Sequence, residues 1–88
     1  MSATFDDAMA LYNEDKFEEA YALFYDLGIY GRNSEALFYL GLMHQYGEGV
    51  EKSVDKALEF WKKATQMGHT EAAFRMNEYV TSTRHTSK

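Results

Sequence analysis

The chain has 88 residues, with nine Lys plus Arg against fourteen Asp plus Glu and neither cysteine nor proline. That length suits one domain with a small core and does not suit two. The missing cysteines exclude disulfide frameworks and thiolate metal sites, and a net charge of -5 gains nothing from counterion release on a phosphate backbone, so nucleic acid is not expected as a partner.

The charge is uneven. Residues 1–33 carry seven acids against Lys16 and Arg32, whereas residues 34–88 carry seven charges of each sign. The opening residues, Met1 to Asp7, lack the basic start and apolar run of a secretory signal. No stretch approaches the roughly 18 apolar residues of a membrane span. No membrane association is expected, and the expected location is the cytoplasm.

The apolar residues recur at three- and four-residue spacing, which predicts helices throughout. A first helix is expected over about Thr4 to Asn13, with Phe5, Ala8, Met9, Leu11 and Tyr12 on its apolar face. A second is expected over about Lys16 to Leu27, with Phe17, Ala20, Leu23, Phe24 and Leu27 as one stripe and Gly28 and Gly31 as its stop. Ser34 is the expected N-cap of a third helix reaching about Tyr46, where Gly47-Glu48-Gly49 breaks the chain. Ser53 caps a fourth, Val54 to Met67, closed by Gly68. A fifth is expected over about Thr70 to Thr81, followed by a polar, frayed tail over 82–88.

Self-comparison exposes a repeat. Glu35-Ala36 recurs 36 residues later as Glu71-Ala72, while Ala20, Phe24 and Gly31 align with Ala57, Trp61 and Gly68 at a shift of 37. A period in this range is that of stacked helical hairpins. Within it, Ala36, Leu40-Gly41, His44, Gly47, Gly49-Val50, Lys56-Ala57, Phe60-Trp61, Lys63-Ala64, Gly68 and Ala72 closely resemble the Sel-one-like repeat, a relative of the tetratricopeptide repeat. That pattern runs A-x-x-x-L-G-x-x-Y-x-x-G-x-G-V, then K-A-x-x-W-Y-x-K-A-A-x-x-G-x-x-x-A. The departures are His44 for tyrosine, Ser53 for an acid and Thr65 for the second alanine. The first hairpin, with Phe17-Glu18-Glu19-Ala20 at its turn and no glycine loop, is similar to an ordinary tetratricopeptide unit.

The resemblance implies an all-α fold: a short right-handed α-solenoid of two antiparallel helical hairpins plus a C-terminal capping helix. A single domain spans 1–88, with a tetratricopeptide-like hairpin at 4–31, a Sel-one-like hairpin at 34–68 and the cap at 70–81. In such families the first helix of each pair lines a concave groove. By register, the partner-binding positions are then Phe5, Met9 and Tyr12; Phe38, Leu42, Gln45 and Tyr46; and Glu71, Phe74 and Glu78. The third helix supports this on its own account. Leu37, Leu40 and Gly41 face the hairpin, leaving Phe38, Leu42 and Tyr46 as a second apolar stripe. Such a stripe is either buried between repeats or a contact surface, and aromatics are enriched at interfaces.

Catalytic and metal-binding readings find little support. His44, His69 and His85 are scattered without a nucleophile beside them, and no metal-ligand spacing occurs. Adjacent acids such as Asp6-Asp7 or Glu18-Glu19 point about 100° apart on a helix and stay hydrated. Gly47-Glu48-Gly49 lacks the lysine and preceding strand of a phosphate loop. The expected function is therefore a non-catalytic adaptor that needs no cofactor and binds a peptide or helix of another protein, with basic residues to match Glu71 and Glu78. A dedicated inhibitor or immunity protein neutralising one enzyme or toxin is the alternative, and a hydrolase ranks behind both. With about two and a half units where three are usually wanted, a homodimer covering an open end or the groove is also expected.

Overall fold

The computed structural model describes the backbone of residues 3–86 and the side chains of residues 3–79. Over that range the chain forms five α-helices and no strand. Thr4 opens α1 (Phe5–Asn13) with a capping box. Its hydroxyl accepts the Asp7 N–H at 3.3 Å while the Asp7 carboxylate accepts the Thr4 N–H at 3.0 Å. Asp15, at φ 63°, reverses the chain into α2 (Phe17–Tyr25), which packs on α1.

The expected end of α2 is corrected. Instead of stopping at Gly28 and Gly31, the helix widens into a π-turn over Asp26–Tyr30, in which the Gly31 N–H bonds the Asp26 carbonyl at 3.0 Å. Gly28 lies buried inside that turn, where a Cβ would meet Leu37 Cδ2 at 2.9 Å. The left-handed residue that turns the chain is Arg32, at φ 54°.

Next, α3 (Ser34–Tyr46) is capped by Asn33, whose Oδ1 accepts the Ala36 N–H at 3.0 Å. This corrects the expected cap by one residue. Asn33 takes the extended backbone a cap requires, and Ser34 becomes the first helical residue. Ser53 caps α4 (Val54–Gln66) as expected, accepting the Lys56 N–H at 3.2 Å.

Last, α5 (Thr70–Thr86) runs beyond the expected end at 81, because no glycine or proline follows Gly68 to stop it. The tail expected to fray is thus helical to Thr86, and residues 87 and 88 lie outside the described range.

The helices pack α1 on α2, α3 on α4 and α5 on α4, with α2 joined to α3, in an elongated body of 52 × 25 × 17 Å. Alanines sit where helices cross: Ala8, Ala20, Ala36, Ala57, Ala64 and Ala72 have no exposed surface. Large rings fill the space between. Trp61 is fully buried against Gly41, whose missing side chain leaves room for the indole, and Trp61 Nε1 donates to the Phe38 carbonyl at 3.1 Å. The most polar part of the core's largest side chain is thereby satisfied, so its burial carries no unpaired donor.

Aromatic side chains join the two units. Phe24 stacks on Tyr39 with centroids 5.3 Å apart, and Tyr12 meets Phe17, Phe24 and Tyr39 edge-on. The Tyr12 hydroxyl donates to Glu48 at 2.7 Å, tying the glycine loop of the second unit to α1, while Gly49 backs onto Phe17. His44 is 5% exposed and bridges the units from the other side. The Glu51 carbonyl 3.0 Å from Nδ1 can only accept, so that nitrogen carries the proton and Nε2 accepts the Tyr21 O–H at 2.9 Å.

Two outcomes follow from this packing. Gly41→Ala would drive a methyl into Trp61 and is expected to cost about 2–3 kcal/mol in a urea melt, with the slope unchanged. Burial raises the phenols of Tyr12, Tyr21 and Tyr39 above their usual value of 10.0, and for Tyr12 the bond to Glu48 adds to the rise. The folded state therefore holds these protons more tightly than the unfolded chain. That stability is fully present below about pH 10 and is lost as pH rises above it. Thermal melts should show a flat midpoint up to about pH 10 and a decline above it, shallower in Tyr12→Phe.

Candidate functional site

A groove of about 590 Å³ lies between α3 and α5. Its floor is Phe38, Tyr39 and Leu42 from α3, and its rim carries Glu35 on one side and Glu71 and Arg75 on the other. The α4–α5 turn closes one end through His69. The Ala72 N–H donates to His69 Nδ1 at 3.1 Å, so this ring is protonated on Nε2, which donates to Glu35 at 2.9 Å. The same imidazole stacks on Phe38, centroids 4.8 Å apart and planes 22° off parallel. His69 thus caps a helix and packs a core edge, as a structural histidine does.

Arg75 places its guanidinium 5.9 Å over the Phe38 ring, with Nε 4.0 Å from Glu71 and Nη1 3.5 Å from the Gln45 oxygen. A planar cation held over a ring and beside a carboxylate is a weak but directional contact, worth on the order of 1 kcal/mol at a half-exposed site. Burial and the Glu35 carboxylate raise the Tyr39 phenol, which stays protonated at neutral pH beside the groove's acids.

Of the ten positions expected by register, the groove brings together Phe38, Leu42 and Glu71. Phe38 is only 7% exposed, so of the two readings open for it, burial between units describes its side chain. Leu42 is half-buried, and Tyr46, 57% exposed, stands at the end of the same stripe. Gln45 donates through Nε2 to the Tyr79 hydroxyl at 3.1 Å.

Phe74 and Glu78 are exposed on α5. Phe5, Met9 and Tyr12 do not line this groove and are half-buried. Phe5 packs on Phe24 and Tyr39, and Tyr12 on the joint described above.

Sequence reasoning missed Glu35, Tyr39, His69 and Arg75 as groove residues. The spacing of Glu71 and Arg75, four apart on one helix face, was the available signal for that pair. Among the described residues, no group of three or more His, Asp or Glu is placed to hold a metal, and no helix is long and apolar enough to cross a membrane.

Residues 34–69, which supply α3, the glycine loop, α4 and His69, match the family model of the Sel1 repeat. No curated protein and no solved structure matches the chain significantly. Sel1 repeats form helical solenoids, generally mediate protein–protein interaction and are typically non-catalytic. By its residue pattern, its helical structure and this match, the segment 34–69 is similar to a Sel1 repeat.

Proposed function

We propose that this chain is an adaptor that holds a peptide or helix of another protein along the groove between α3 and α5. The observation that supports this best is the groove itself: the half-buried Leu42 lies beside Tyr39 and the stripe continues to the exposed Tyr46, with carboxylates at both sides. Apolar anchors flanked by charge are what a short amphipathic segment needs, since the floor supplies burial and the rim supplies orientation. Glu35 and Glu71 outnumber Arg75 there, and the acidic surplus of residues 1–33 lies along the same chain, so basic residues in the partner fit best. The role is binding rather than turnover, and no side chain of the groove is given a catalytic part.

Leu42→Glu combined with Tyr46→Ala tests the reading, because Tyr46 is exposed and Leu42 reaches the surface from the edge of the core. Tyr46→Ala alone, at an exposed position, should melt within about 1 kcal/mol of the parent and serves as the control for folding. A partner recovered with the parent chain from the cells that express it should be reduced about tenfold or more with the double variant. Unchanged recovery of every partner would sink the groove assignment. Light scattering on the same samples reads self-association: a monomer mass at all concentrations leaves a different protein as the occupant.

A further inference from the structure

Phe5, Phe38 and Phe74 occupy one register, each three residues before the residue at the hairpin crossing of a first helix: Ala8, Gly41 and Asn77. In the first two units the following unit covers this ring. Tyr39 lies 5.9 Å from Phe5, centroid to centroid, and the Arg75 guanidinium lies 5.9 Å over Phe38. Tyr39 and Arg75 are themselves equivalent, each one residue after the phenylalanine of its own unit. The fold thus shows twice a planar side chain from the next first helix against this ring, tilted 55° for Tyr39 on Phe5 and joined by the stacked His69 on Phe38.

On α5 that group is missing among the described residues, and Phe74 is 65% exposed. Glu71 and Glu78, three residues before and four after it, are exposed on the same stripe of α5. A bare ring beside the Glu78 carboxylate favours a cation on its face, by the ring quadrupole and by charge, while Glu71 already lies 4.0 Å from Arg75. A second copy added head to tail would instead bring Asp6, the residue equivalent to Tyr39 and Arg75, to that acidic face.

We propose that the open face of α5 at Phe74 docks a helix of a partner protein that lays an arginine on the Phe74 ring and pairs it with Glu78. Phe74 and Glu78 do not line the groove, so this surface stands whether or not the groove is used. A blocked, alanine-based helical peptide with arginines four residues apart, and its Arg→Gln counterpart, serve as probes in fluorescence anisotropy.

The parent chain should bind the arginine peptide with a Kd about tenfold or more below that of the glutamine peptide. Phe74→Ala, at an exposed position that leaves the helical circular dichroism unchanged, should lose that preference, and Glu78→Lys should weaken binding severalfold. Leu42→Glu with Tyr46→Ala should leave it unaltered, which separates this surface from the groove. The proposal is overturned by binding that survives Phe74→Ala, by no binding of the arginine peptide up to millimolar concentration, or by a dimer of the parent chain that Phe74→Ala dissociates.

Discussion

The contact between Trp61 and Gly41 sets the position of nearly everything else. An indole with no exposed surface lies against the one residue of α3 that has no side chain to obstruct it, and its N–H is bound to the Phe38 carbonyl. That bond joins the hairpin and the groove, because Phe38 contributes its backbone to one and its ring to the other. The spacing of α3 and α4 thereby fixes the height of the groove floor, and the α4–α5 turn brings His69 onto the same ring. Binding surfaces on a chain this small need such support, since few core residues remain to absorb a shift.

Aromatic rings serve two ends in this fold, and exposure separates them. Phe24, Trp61 and Phe38 are spent on packing within and between units, while Tyr46 and Phe74 hold positions of the same periodicity but face outward. Phe38 is covered by His69 and Arg75, whereas Tyr46 and Phe74 stay exposed among the described residues.

Much of this was legible in the residues, and the failures have physical causes. The helices, the glycine loop, the Ser53 cap and the burial of Leu37, Leu40 and Gly41 follow from local rules of spacing and capping that no distant contact overrides. Asn33 and Ser34 are adjacent and both good caps, so only backbone geometry could choose between them. The roles of His69 and Arg75 depend on contact with Phe38 across more than thirty residues, which local pattern does not encode. The π-turn was visible as an unexplained discrepancy: the first and second helices of the repeat align at different offsets. Sixteen residues separate Ala20 from Ala36, and fifteen separate Ala57 from Ala72. The widened turn at Asp26–Tyr30 holds the extra residue.

That turn also bears on how such a chain tolerates changes in length. One residue inserted into a regular α-helix rotates the residues beyond it in that helix by about 100° and would carry Gly28 out of its close approach to Leu37. The i to i+5 turn confines the surplus to five residues, so the next helix begins in the phase that its own unit requires. Two hairpins of unequal length can then be joined in tandem without compensating changes downstream, and the joint acts as a phase corrector between them.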